Sequence, residues 1–459
     1  MQSTKTLDEF LGKGSPNFPT FEWTGHPFVD AGLIAILLLS KKSRPQDLTW
    51  DDIQKAVEFA SELYARKEWS SGYIHAMVLP NSGILMANPS MSKNRTSEKI
   101  KENLLSLLKE KEDKSAPMCE ICGRRHARSK PVYRSDFPLV GTGGVPNYFP
   151  SGKDGANICS HCLFLAQFMP LIAYRMQRLL IIHTNPPEFM LRFHEEALND
   201  VRKTQLASNA RGFRRPENFL FEKLMEIGRD LELGKLDGVS ITLYYFVSNN
   251  QGQEIDIIYI PNPVLRFIAF AGPEFRKIAN MGWAKGCTRR RSEEEVVREC
   301  RNEVYRRLLE NESILPYFVD VQNRRVNSSW RLLEFYCLEV LSLEKDALEF
   351  VRDVADRIVE TLEKLPDNKL ARRVRELERA DKLYQFEAFF IRIEKDRQEL
   401  GIPKALITFD EFATLLTSYG EDLNVSWRTV KHLILFRIYE KLHDKLMKVK
   451  EEEKEVEEE

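Results

Sequence analysis

The chain lacks any apolar run long enough to cross a bilayer: its most apolar stretch, residues 31–39, is nine residues of 459, where a spanning helix needs ~20. The first nine residues, Met-Gln-Ser-Thr-Lys-Thr-Leu-Asp-Glu, do not form a secretory signal. These two absences predict a cytoplasmic protein with no membrane partner. Catalytic signatures are missing as well. Eight scattered histidines leave His443-Asp444 without the companions that a metal-dependent phosphohydrolase requires, so the pair is read as a solvated helix position. No nucleophile elbow of the Gly-x-Ser-x-Gly type and no dinucleotide fingerprint occurs. The glycine-rich stretch 141–155 fails as a phosphate loop, because Asn147 stands where the first glycine belongs and Lys153 is followed by Asp154 rather than a hydroxyl. A zinc deaminase would need His-x-Glu ahead of its Pro-Cys-x-x-Cys, and none precedes Cys119. The expectation is a protein that is not an enzyme.

Charge of one sign is nearly absent in sum but not in distribution. The formal net charge is −1, yet residues 451–459 hold seven Glu and one Lys, a net −6, which leaves +5 for the other 450 residues. That body is too weakly basic to name a nucleic-acid partner from its average, so local clusters have to carry the argument.

Cysteine is present in a pattern. Cys119/Cys122 and Cys159/Cys162 are two Cys-x-x-Cys pairs with 36 residues between them, and four thiolates are the number a closed tetrahedral zinc site takes. Gly123, just after the second cysteine, permits the tight turn that aims main-chain N–H groups at the sulfurs. The second pair runs into Leu163-Phe164-Leu165-Ala166 and reads as a knuckle opening a helix. A redox dithiol needs one pair, not two at ribbon spacing, so structural Zn2+ is preferred over redox, disulfide or unconnected core cysteines. His126 and His161 are read as bystanders, and Cys287, Cys300 and Cys337 as ordinary side chains in a reducing compartment. With no open coordination position, the site is expected to brace the fold without activating water.

Periodicity divides the chain into an α+β body, residues 1–327, and an all-α C-terminal bundle, residues 328–459, ending in the acidic tail 451–459. A zinc-binding insertion occupies about 112–165. Helices are expected at 31–39, 51–64 and 98–111, a β-hairpin from 73–79 and 84–87, and a long buried helix over 163–183. A second hairpin joins 239–247 to 255–260, with a third strand at 265–270. Ser292 with Glu295 forms a capping box opening a helix to about Leu309. In the bundle, Leu348, Val351, Ala355, Ile358 and Leu362 form one stripe ended by Pro366. A second stripe is Trp427, Val430, Ile434, Ile438, Leu442 and Leu446.

Basic residues cluster at three places suited to nucleic acid. Lys203, Arg211, Arg214 and Arg215 flank Phe213 in a polar loop, where guanidinium can neutralise phosphate and aromatics can stack on bases. Arg289, Arg290 and Arg291 precede three glutamates, Glu293 to Glu295, that suit a helix N-terminus and partly neutralise the triplet. Lys93, Asn94 and Arg95 offer small polar and basic groups on a loop. Each cluster is also compatible with a solvated surface, as are the helical rows Arg372/Arg375/Arg379 and Lys441/Lys445/Lys448.

The paired knuckles, the opening Gly25-His26-Pro27-Phe28-Val29-Asp30-Ala31-Gly32 and the helical C-terminal third resemble the CRISPR-associated CXXC-CXXC family, the large subunit of type I Cascade complexes, chiefly subtype I-B. The resemblance implies a non-catalytic DNA-surveillance role. Such a subunit holds the 5′ handle of the guide RNA, reads a short motif beside the double-stranded target and helps open the duplex. Its partners are then the Cascade backbone and small subunits and a recruited helicase-nuclease, and the C-terminal bundle is similar to the small-subunit module. The alternatives are a stand-alone zinc-stabilised DNA- or RNA-binding regulator and a metal-dependent nuclease.

Overall fold

The computed structural model describes residues 20–109, 115–125, 131–141, 155–228, 233–289, 291–417 and 423–458. It is an α+β protein in which two small antiparallel sheets accompany many helices. Arg290, His126 and most of the glycine-rich stretch, residues 142–154, lie outside the described residues. No helix among those described is long and apolar enough to cross a membrane. The chain forms two compact units: the first takes in residues 1–223, 237–262 and 297–299, the second 224–236, 263–296 and 300–459.

In the first unit, α1 (Pro27–Ser40) is buried from Phe28 to Leu37. His26 caps it by accepting from Phe28 N–H, Pro27 fits the first turn where no N–H is needed, and Lys41 stops it in a left-handed conformation, φ 56°. α2 (Trp50–Tyr64) starts in a Thr49/Asp52 capping box and buries Ile53, Val57, Ala60 and Tyr64 at helical spacing. α3 (Ser97–Leu107) and the short α4 (Ser160–Ala166) follow. Four strands, β1 (Tyr174–Arg175), β2 (Leu179–Asn185), β3 (Ser240–Ser248) and β4 (Gln253–Ile260), pair antiparallel in sequence order. Ile181 faces Tyr244 and Leu243 faces Ile258 in their register. α5 (Met190–Thr204) packs Phe193, Ala197, Leu198 and Val201 inward.

Two expectations for this unit, a hairpin and a long helix, are overturned and one is met. Residues 73–79 are not a strand: Ser70–Val78 is a π-helix closed by Leu79 N–H on Ile74 C=O, and the buried Trp69, Tyr73, Ile74 and Val78 recur at helical intervals. The partner run 84–87 is turn. The stretch 163–183 is not one helix, because Pro170 cannot donate within a helix and the branched aliphatic run from Leu179 to Ile182 pairs with β3 instead. The hairpin expected from 239–247 and 255–260 is β3–β4.

The second unit contains α6 (Pro263 onward within Asn262–Ala271), α7 (Pro273–Asn280), α8 (Glu303–Leu309) and the pair β5 (Val319–Asp320) and β6 (Arg325–Val326). The third strand expected at 265–270 is therefore helical: Val264, Leu265, Ile268 and Ala271 are buried at three- and four-residue steps. The Ser292/Glu295 capping box is present, but its helix ends at Glu299. Cys300 is extended, and Asn302 caps the new helix by accepting from Val304 and Tyr305 N–H. Beyond lie α9 (Trp330–Glu339), α10 (Lys345–Glu363), α11 (Asp367–Arg379), α12 (Leu383–Glu399), α13 (Phe409–Thr417) and α14 (Leu423–Glu458). Both stripes read from the sequence are buried in this bundle. A buried Asp396 accepts from Arg373 and Lys369, each at 2.7 Å, and Lys445 closes the end of α10 by donating to Glu363 and Leu365 C=O. Cys287 and Cys300 are joined in a disulfide rather than being separate thiols, while Cys337 is buried and free.

Candidate functional site

Two turns build the cysteine site. The first brings Cys119 N–H to Arg124 C=O at 2.8 Å and Gly123 N–H to Cys119 C=O at 3.0 Å, with Gly123 at φ +72°, a region glycine enters without a Cβ penalty. The second is the start of α4, where Cys159 is the N-cap and its sulfur accepts from Cys162 N–H at 3.4 Å. Glu120 N–H on Asn157 C=O, 2.8 Å, ties the turns together, and Cys159 N–H points at the Cys119 sulfur at 3.3 Å.

All four sulfurs lie within 4.8 Å of one another. Cys122 and Cys159 are 3.6 Å apart, Cys119 and Cys162 4.0 Å. A tetrahedron of sulfurs around an ion at ~2.3 Å has edges of ~3.8 Å, so the donor set fits a metal ion. Cys119, Cys159 and Cys162 are buried and Cys122 is half-buried. Hydrogen bonds from Cys122, Cys159 and Cys162 hold the Cys119 thiol far below the ordinary range, while the same mutual contacts drive Cys159 and Cys162 far above it. Four neighbouring sulfurs resist ionising together, and a cation is what offsets that repulsion.

The site is fastened to the core through α4. Gly32 of α1 meets the Leu165 backbone so closely that a Cβ there would lie 1.8 Å from Leu165 C=O. Tyr64 Oη donates to Gln167 C=O at 2.8 Å, and Tyr73 Oη to Pro170 C=O at 3.1 Å. In the first turn of α1, the fully buried Asp30 carboxylate accepts from Thr24 N–H and Oγ1–H at 2.8 Å and Gly25 N–H at 2.9 Å, with His183 Nε2 at 3.3 Å. The Gly25 to Gly32 segment thus builds a polar knot and a backbone crossing. The sequence offers this segment as a feature of the family resemblance and not as a packing device; its paired glycines and a lone aspartate in an apolar run are the signal for the latter.

The basic residues are placed unequally. Lys93 and Asn94 are exposed at the end of the 3-10 turn Pro89–Asn94, but Arg95 donates inward to Met86 and Asn88 C=O. Arg211 pairs with Glu196, which also meets Lys223. Arg214 lies 3.3 Å from Glu299, and Arg215 3.5 Å from Glu217, with Arg215 Nε on Glu299 C=O. These three arginines fasten their own loop. Lys203 is exposed and has no ion-pair partner among the described residues. In the second unit, Arg289 is exposed and Arg291 donates to Cys287 C=O at 3.2 Å.

Residues 112–174 match the family model described as CRISPR-associated protein (Cas_CXXC_CXXC). No curated protein and no solved structure matches the chain. The segment that gathers the four sulfurs is therefore the segment that is similar to a CRISPR-associated CXXC-CXXC family.

Proposed function

We propose that the chain is the non-catalytic large subunit of a type I, subtype I-B, CRISPR Cascade complex, and that its four cysteines hold a structural Zn2+. The observation that carries this reading is the coincidence of the sulfur cluster with the CRISPR-associated family match over residues 112–174. Four thiolates select Zn2+ over harder cations and leave no position for a reacting water, which supports bracing over catalysis. Cys159 and Cys162 lie at the start of α4, α4 receives Gly32 of α1, and the residues just after α4 receive Tyr64 and Tyr73.

In this role the subunit binds the guide RNA handle, reads the motif beside the double-stranded target and assists opening, with the backbone and small subunits and the helicase-nuclease as partners in the cytoplasm. Exchange of a DNA duplex for a guide heteroduplex is nearly balanced, at about 1.4 kcal/mol of stacking per base-pair step, so a few protein–phosphate contacts can tip it. Lys93, Asn94 and Lys203 are exposed in the first unit and available for such contacts. The test compares strand opening, read by permanganate footprinting, in complexes assembled with and without this chain. Loss of opening without the chain supports the reading, and equal opening refutes it. Elemental analysis of protein purified without chelators is expected to return about one zinc per chain.

A further inference from the structure

Within the first unit, the π-helix, β1 and the loop after α5 enclose a cleft of about 750 Å³, well inside the range of small-ligand sites. Trp69 and Tyr73 form its floor, and both are pinned: Trp69 Nε1 donates to Gln205 C=O at 2.8 Å and Tyr73 Oη to Pro170 C=O. The Arg175 guanidinium, the Glu68 carboxylate and the Asn209 amide stand at the exposed lining. Asp200 sits among them, accepting from Ser208 Oγ–H at 3.0 Å.

Two backbone features single out this place. One wall is a nine-residue π-helix, a rare conformation that recurs at functional sites. The opposite wall leaves α5 through Gln205 at φ 58° and ends at Ala210 and Arg211, φ 51° and 52°, left-handed values that cost non-glycine residues energy and concentrate where geometry is used. The arginines beyond the cleft are spent on holding this loop, as shown above. Arg175, Lys67 beside Glu68, and Lys203 beside Thr204 make no ion pair among the described residues.

We propose that this cleft binds one ribonucleotide unit of a single-stranded RNA. The Arg175 fork takes the phosphate, Glu68 and Asp200 accept from ribose hydroxyls, and the Asn209 amide meets the base edge. A planar guanidinium matches phosphate oxygens two at a time. Carboxylates repel phosphate but accept from a ribose 2′-hydroxyl, the group by which a protein tells RNA from DNA. Leu206, 51% exposed at the lip, offers an apolar surface to the base, and Lys67 and Lys203 supply positive charge along the strand. This inference rests on the RNA-binding reading above and adds to it the place and the groups that meet one nucleotide.

Fluorescence anisotropy of the full-length chain with a labelled mixed-sequence oligoribonucleotide and its deoxy counterpart tests it. RNA is expected to bind at least about tenfold tighter than DNA. Arg175→Ala should weaken RNA binding about tenfold and lower the salt slope by about one. Gly72 lines the cleft and has room for a Cβ, its nearest neighbour being Lys67 C=O at 3.7 Å, so Gly72→Leu fills the cleft and should weaken RNA binding by a similar factor with an unchanged unfolding midpoint. Glu68→Gln should narrow the RNA-over-DNA preference. Equal affinity for the two nucleic acids, no RNA binding, or RNA affinity untouched by both Arg175→Ala and Gly72→Leu overturns the proposal. Because strand opening is measured separately on assembled complexes, opening that depends on the chain combined with unaltered RNA affinity in the cleft variants would sink the cleft alone.

Discussion

Gly32→Ala adds one methyl group at the crossing of α1 over α4. Alanine favours the helix over glycine by about 1 kcal/mol, so a reading from propensity alone forecasts stabilisation. Geometry forecasts the opposite. The new Cβ would stand 1.8 Å from Leu165 C=O, 2.5 Å from Leu165 C and 3.3 Å from Ala166 N, whereas C···O contacts settle at about 3.3 Å or more. The obstacle is main chain, which cannot rotate aside, so α1 and α4 must separate by about 1.5 Å at that point. A gap of ~1 Å already forfeits up to half of a contact's dispersion energy, and α1 is buried from Phe28 to Leu37. Overpacking of this kind costs about 1–3 kcal/mol where side chains yield and more where backbone must. After the helix gain, a net loss of at least ~2 kcal/mol is expected, a fall of ~4–8 °C in the melting transition of the first unit. Calorimetry and urea unfolding measure it, with Gly72→Ala as control: that Cβ meets nothing closer than 3.7 Å, and the change should be neutral or slightly stabilising. An unchanged or raised midpoint for Gly32→Ala would refute the crossing.

The remaining predictions concern charge and metal. Cys119→Ser, or strong chelation of the wild type, should release the bound metal and lower the melting temperature, because metal binding and folding share one free energy; equal stability with and without metal would make the cluster ornamental. Asp30→Ala removes an acceptor used by Thr24 and Gly25 at 2.8–2.9 Å and should cost about 3 kcal/mol in urea unfolding, a loss under 1 kcal/mol counting against the polar knot. His194 is fully buried, with its ring nitrogens 3.0 Å from Ile172 C=O and 2.9 Å from Ile182 C=O, and burial lowers its pKa from 6.5 to about 4. Below the unfolded value the denatured chain binds the proton that the folded chain refuses, so its stability contribution is intact above pH 6.5 and lost as pH falls to about 4. The loss is on the order of 3 kcal/mol, and His194→Gln should flatten the stability curve over that window.

How much was legible in the sequence follows from how far each signal reaches along the chain. The cysteine site was legible because Cys-x-x-Cys turns are local, and two local turns with four sulfurs have one economical arrangement around an ion. α2, the β3–β4 hairpin and the stripes on α10 and α14 were legible because period and caps lie within one element. The π-helix was misread because Tyr73, Ile74, Val78 and Leu79 satisfy a strand pattern when taken without Trp69. The run 163–183 was misread because its apolar content is equally suited to a helix and a buried strand, and only pairing of Leu179–Asn185 with β3 decides. Charge was the least legible property. Arg211, Arg214, Arg215 and Arg95 look like binding groups until Glu196, Glu299, Glu217 and two carbonyls, remote or hidden in the string, are brought to them.

The sequence by itself determined the two cysteine pairs, the turns that present them and the amphipathic faces of the longest helices, since each depends on residues within a few positions of one another. Tertiary structure alone decided which cations stay unpaired, that Cys287 meets Cys300, that Gly32 receives the backbone of α4, and that a π-helix and a strained loop enclose a cleft beside Arg175. Those outcomes hang on approaches between segments far apart along the chain, where contact distance and burial, not local preference, set the energy.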